Sequence, residues 1–200
     1  MKKILLICSH MHSGCDVIYE SLNRTKKTQG FNYSEKNYYQ SPLNFLSLTH
    51  ENHKLHDSSA LYMDVLNFNQ QLSTKTAYEY CKFIYVIREP EYVLNSLIKK
   101  DKMNFSFAKR YYCFRLRRLY EMAKKTPGAI FLTWDDIKSK KKLELVENYL
   151  NIKEKINLDN SLISKFSEDI DCSIPYSDLI KVENTYEKYL FFLKNLNLQY

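Results

Sequence analysis

Phe83-Ile84-Tyr85-Val86-Ile87-Arg88-Glu89-Pro90-Glu91-Tyr92-Val93-Leu94-Asn95-Ser96 is the stretch whose reading decides the fold. Its first five residues form an uninterrupted apolar run, as expected of a strand buried on both faces of a parallel sheet. Arg88-Glu89-Pro90 ends that run, and a proline suits the first helical turn, where its missing N–H is not needed. Val93, Leu94, Leu97 and Ile98 then recur on one helical face. The stretch therefore predicts strand, polar turn and helix.

The same grammar recurs on either side. Residues 4–8 are apolar and give way to Ser9-His10-Met11-His12-Ser13-Gly14, after which Val17, Ile18, Ser21 and Leu22 follow at helical spacing. A third apolar run, residues 129–133, follows the turn Thr126-Pro127-Gly128 and leads through Trp134-Asp135-Asp136 into a helix over about 140–150. Apolar strands alternating with amphipathic helices predict an α/β fold, a three-layer α/β/α arrangement around a central parallel sheet. Two further helices are expected. One covers residues 109–125, with Tyr112, Leu116, Leu119 and Ala123 inward, and the other residues 184–198, with Tyr186, Leu190, Leu193 and Leu196 inward. Arg110, Arg115, Arg117 and Arg118 read as a solvated basic face; Tyr111 and Tyr112 lie beside them, but no nucleic-acid motif accompanies the cluster. Residues 30–56 lack periodicity and read as a long loop region, the kind of segment that carries substrate loops.

Composition narrows the function classes. At 200 residues the chain is expected to form a single domain over 1–200, with 44% hydrophobic and 26% charged residues and no apolar run long enough for a membrane span. The N-terminal apolar run is short and is followed by His10, His12 and Asp16, so it reads as a strand rather than a leader. Five cysteines without a CxxC pair argue against a disulfide framework and a zinc site, and point to a reducing, cytoplasmic setting. A net charge of +7 favours an anionic partner without choosing one.

Open parallel sheets bind ligands beyond the carboxyl ends of their strands, which is where both polar turns fall. In the first, the N–H groups of Ser13, Gly14 and Cys15 at a helix N-terminus, with the Ser13 hydroxyl, make a phosphate cradle. No Lys-Ser or Lys-Thr follows Gly14, so the GxxxxGK[ST] pattern of magnesium-dependent ATP or GTP hydrolysis is absent. In the second, the Arg88 fork and the Ser96 hydroxyl can clamp one phosphate.

These residues carry a resemblance. Phe83 to Ser96 resembles the 3′-phosphate signature of sulfotransferases that use 3′-phosphoadenosine-5′-phosphosulfate (PAPS): an apolar strand, Arg, Asp or Asn, Pro, then Ser at this spacing. His12-Ser13-Gly14-Cys15-Asp16 resembles in part that family's 5′-phosphosulfate loop, a Lys or Arg before Ser-Gly and two hydroxyl residues. Phe131-Leu132-Thr133-Trp134-Asp135-Asp136-Ile137 is similar to the family's strand ending in Tyr-Glu-Asp-Leu, with Tyr149-Leu150-Asn151 as the Phe-Leu-Gly-like end of the next helix. All three come in the family's order and span roughly the first three quarters of the chain. The resemblance implies a P-loop nucleotide-kinase-like fold and transfer of a sulfuryl group from PAPS to a hydroxyl or amine, releasing 3′-phosphoadenosine-5′-phosphate (PAP), with no metal. It implies nucleotide contacts from His12, Ser13, Gly14, Cys15, Asp16, Arg88 and Ser96, and a small-molecule, glycan or peptide acceptor. His12 stands where the family has the basic residue that contacts the sulfuryl group, and Asp16 and Glu89 also depart from the pattern; Glu89 reads as a helix cap. By the same resemblance the catalytic base is His56, with Glu35 and Asp57 as further candidates. The Arg-Lys-Gly segment of cytosolic members is not apparent, which points to a small, divergent bacterial or viral branch. Two alternatives stand beside this reading: a catalytically degenerate protein that holds PAP or another anion, and a small-molecule kinase on the same fold.

Overall fold

The computed structural model describes residues 4–30, 61–67, 78–79, 81–167 and 174–196. The strands are β1 (Ile4–Ser9), β2 (Thr28–Gly30), β3 (Leu61–Leu66), β4 (Cys81–Ile87) and β5 (Ile130–Thr133). They form one parallel sheet in the order β2-β3-β1-β4-β5. β1 is central, with Ile7 beside Val65 of β3 and Ile84 of β4. The pleat sends alternate side chains to opposite faces. Leu5, Ile7, Ile84, Val86 and Leu132 enter one core, and Ile4, Leu6, Cys8, Phe83, Tyr85 and Ile87 enter the other.

The helices are α1 (Cys15–Asn23), α2 (Pro90–Lys99), α3 (Phe105–Ala123), α4 (Trp134–Lys138), α5 (Leu143–Leu150), α6 (Asn160–Ser167) and α7 (Tyr176–Leu196). Val17, Ile18 and Leu22 of α1, Trp134 and Ile137 of α4, and Leu143, Val146 and Leu150 of α5 close the first face of the sheet. α2, α3 and α7 close the second through Val93, Leu97, Tyr112, Leu116, Leu119, Val182, Tyr186 and Leu193. The result is the three-layer α/β/α arrangement. Among the described residues no helix is long and apolar enough to cross a membrane.

Several elements differ from the sequence expectation. β3 interrupts its apolar run with Asp64, which is buried and accepts the Val65 N–H at 2.8 Å. Trp134-Asp135-Asp136 is not a connector but the start of α4. Thr133 and Asp136 cap each other's backbone reciprocally, so the helix begins as the strand ends. α3 begins at Phe105 because the Asn104 side chain accepts the Phe107 N–H, and α7 begins directly after Pro175. Arg115 does not belong to a solvated face. It is 1% exposed and falls on the inward stripe with Ala108, Tyr111, Tyr112 and Leu119, so neither it nor the two tyrosines forms a nucleic-acid surface.

Candidate functional site

β1 and β4 are neighbours in the sheet, with Ser9 beside Val86, so the two polar turns leave the same edge side by side. His10, which the sequence reading did not single out, joins them. Its buried ring has Nδ1 2.9 Å from the Met11 carbonyl, and its Nε2 accepts the Arg88 backbone N–H at 2.9 Å. Nε2 as acceptor leaves the proton on Nδ1, and burial pushes the pKa down to about 3, so the ring is neutral.

Within the first turn two amides are bonded internally, while Ser9 Oγ, where β1 enters it, is buried without a hydrogen-bond partner among the described residues. The Ser13 N–H donates to the His10 carbonyl at 3.3 Å, and the Cys15 N–H donates to Ser13 Oγ at 3.2 Å. Two of the three amides that the sequence places around an anion are therefore committed inside the loop. His12 and Gly14 lie in the left-handed region at φ 58 and 84. At Gly14 a side chain is also excluded by packing, since a Cβ there would sit 2.5 Å from Trp134 Cζ3. The Trp134 ring thus forms the floor of the loop. Burial pushes the Cys15 thiol up to about 12, which keeps it protonated. Asp16, in the first turn of α1, has its carboxyl pushed up by the protein around it, while the Cys15 thiol, His12 and Lys165 of α6 draw it back. His12 Nε2 lies 2.7 Å from Asp101 Oδ2, in the connection between α2 and α3.

The second turn is built around a flat, buried cation. The Arg88 side chain is 3% exposed, and its guanidinium carbon lies 3.2 Å from the Tyr92 ring centroid and 4.4 Å from that of Trp134. Nε donates to Glu89 Oε1 at 3.0 Å. Glu89 occupies the N-cap position of α2 but makes no cap bond, because its carboxylate is turned to Arg88 instead. Burial lowers the Arg88 pKa from its ordinary value, and the Glu89 charge raises it again. Arg88 Nη1 and Ser96 Oγ are both buried and have no hydrogen-bond partner among the described residues. A cavity of about 240 Å³ opens beside Arg88, lined also by Glu89, Glu91, Tyr92, Trp134, Lys138 and Ser167.

α3 holds this edge from behind. Tyr112 Oη donates to the Arg88 carbonyl at 2.6 Å, and Arg115 donates to the carbonyls of Ser9, at 2.8 Å, and Leu66. Tyr111 donates to the Asn67 carbonyl at 2.7 Å and accepts the Met11 N–H at 2.9 Å. Three side chains from two successive helical turns thereby satisfy the backbone where β1, β3 and β4 end. Their spacing of three and four residues was a readable signal; their targets were not. His56, Asp57 and Glu35 lie outside the described residues.

No protein-family model and no curated protein sequence matches the chain. Solved structures do. A mouse sulfotransferase complexed with PAP matches with a TM-score of 0.50 at 17% identity, covering 83% of this chain and 63% of that one. The sulfotransferase domain of the olefin synthase from Synechococcus PCC 7002 matches with a TM-score of 0.51 at 12% identity, covering 92% and 94%. This chain has the sulfotransferase fold. The P-loop-like sheet expected from the sequence resemblance is therefore present, and the chain spans 63% of the length of the mouse enzyme. Within the sulfotransferase fold of this chain, Ser13 and Gly14 lie in the turn after β1, Cys15 and Asp16 open α1, Arg88 follows β4, and Ser96 lies within α2. Trp134 touches both turns.

Proposed function

We propose that this chain binds PAPS and PAP across the two turns and transfers the sulfuryl group to a hydroxyl or amine of an acceptor. The observation that carries the reading is the pair of buried, unpartnered groups, Arg88 Nη1 and Ser96 Oγ. A buried polar group without a partner costs about 1–3 kcal/mol, and a phosphate would supply acceptors for both. Tyr92 and Trp134 hold the guanidinium plane from the sides, so little conformational freedom is left to lose when an anion binds. The positive end of α1 and the Gly14 turn favour a second anionic group at the 5′ side.

PAPS, when bound, supplies the sulfuryl group and a PAP leaving group. The acceptor oxygen or nitrogen forms its bond to sulfur as the sulfur–oxygen bond to PAP breaks, and the acceptor proton passes to a base of this chain. His56, Glu35 and Asp57 are the candidates for that base, His12 is the candidate for contact with the transferring sulfuryl group, and small molecules, glycans and peptides are the acceptor classes. The free cysteines Cys8, Cys15, Cys81 and Cys113 fit a reducing cytoplasm. A second reading, PAP binding without chemistry, draws support from the Ser13 and Cys15 amides already bonded within the loop. Thermal unfolding with PAP and with AMP at equal concentration tests the nucleotide: PAP is expected to raise Tm well above AMP, and equal shifts would remove the 3′-phosphate site. Transfer of labelled sulfate from PAPS to a panel of glycans, peptides and phenols separates the enzyme from the silent binder.

A further inference from the structure

We infer that Asp101 is a positioning residue for His12, holding the imidazole so that the apex of the phosphate loop carries a proton-dependent donor for the 5′-phosphate end of the nucleotide. The inference rests on the PAP reading above. His12 and Asp101 are 89 positions apart in sequence, yet Nε2 and Oδ2 meet at 2.7 Å, with the two side chains 18% and 27% exposed. The pair is open enough for a ligand to reach and enclosed enough for its geometry to be set by the protein. His12 also has a left-handed backbone at φ 58, a conformation histidine adopts more readily than most side chains.

A carboxylate only accepts hydrogen bonds, so contact with Asp101 places a hydrogen on His12 Nε2 and leaves Nδ1 as the variable nitrogen. With Nδ1 bare, the ring presents a lone pair that repels phosphate oxygens. With Nδ1 protonated, it presents a donor and a positive charge. The other charged and titratable groups around the pair come from several elements: Arg88 and Arg115 act on the neighbouring His10, and Tyr111 of α3 acts on Asp101. Asp16 opposes an anion, and Lys165 of α6 faces Asp16. His10, on the same turn, is neutral and has both ring nitrogens engaged. Among the loop's own side chains, His12 is therefore the one that can carry positive charge, and its direction depends on Asp101.

Two measurements test this. The first is the 15N spectrum of His12 in the free protein. Wild type and Asp101→Asn, whose amide oxygen accepts the same bond, are expected to show the Nε2–H tautomer when the ring is neutral. Asp101→Ala is expected to show a mixture. The second is calorimetry with PAP from about pH 5.5 to about 8.5. Loss of affinity common to wild type and His12→Ala belongs to the ligand's own phosphate. Wild type is expected to lose about tenfold more than His12→Ala across that range, and His12→Lys to bind tightly without the excess. An unchanged tautomer in Asp101→Ala, or identical pH profiles for wild type and His12→Ala, overturns the inference while leaving PAP binding intact. Failure of wild type to bind PAP at any pH overturns the nucleotide reading and this inference with it.

Discussion

The turn after β1 and the turn after β4 leave neighbouring strands at the same edge, but they are finished differently. In the first, the Ser13 and Cys15 amides are satisfied within the loop, and Gly14 lies against Trp134. In the second, a guanidinium and a hydroxyl are buried with hydrogen-bonding capacity left over. A turn whose amides are bonded within it holds its backbone shape without a ligand. A turn that leaves buried donors unpartnered is stabilised by one. The contrast suggests a division of labour in which the first turn supplies shape and helix dipole and the second supplies affinity for a phosphate.

Gly14→Ala should break the closed turn and give the largest effect. It adds a Cβ 2.5 Å from the Trp134 ring at φ 84, and a loss of about 3 kcal/mol is expected in urea unfolding. Trp134→Leu in that background should recover part of it if the clash, rather than the backbone, dominates. Arg88→Ala tests the open turn. PAP affinity by calorimetry should fall about a hundredfold, or roughly 2.7 kcal/mol, with little change for AMP. Wild-type affinity in that variant would mean that the second turn is not the 3′-phosphate clamp.

The bridge between the turns should respond to acid. His10 has a folded pKa of about 3 against 6.5 for the free side chain, so its stabilising contribution is complete above pH 6.5 and declines as pH falls toward 3. The unfolded chain then takes up a proton that the folded one refuses, at up to about 1.4 kcal/mol per pH unit. Urea midpoints for wild type and His10→Gln at about pH 7 and 5.5 should diverge at neutral pH and converge in acid. The smallest effect is expected for Ser96→Ala: about fivefold weaker PAP binding, with the free protein equally or slightly more stable because a buried, unpartnered hydroxyl is removed.

Much of the framework was legible because β1, β4 and β5 are continuous apolar runs with amphipathic helices after them. Harmonic reading fails where one residue breaks the period. Asp64 splits the run of β3, and β2, at three residues, is too short to show a period at all. The start of α4 was readable in principle from Thr133 and Asp136, three apart, but the preceding strand and the Trp-Asp-Asp sequence suggested a connector. Arg115 illustrates a different limit. Its charge said surface, and only the carbonyl ends of β1 and β3, brought together by the fold, make its burial tolerable. At the site, Arg88 and Ser96 could be chosen from local spacing, whereas His10 bonding to Arg88 and His12 meeting Asp101 are long-range contacts with no local trace.

The chain has a single tryptophan, and its position has an optical consequence. Trp134 is buried with one part of its ring against Gly14 and the Arg88 guanidinium 4.4 Å from its centroid. Indole emission depends on the charges beside the ring, so the tryptophan fluorescence of the molecule originates at the seam between the two turns. An anion that neutralises Arg88 changes the field at that indole directly, and the protein reports its own occupancy without a label.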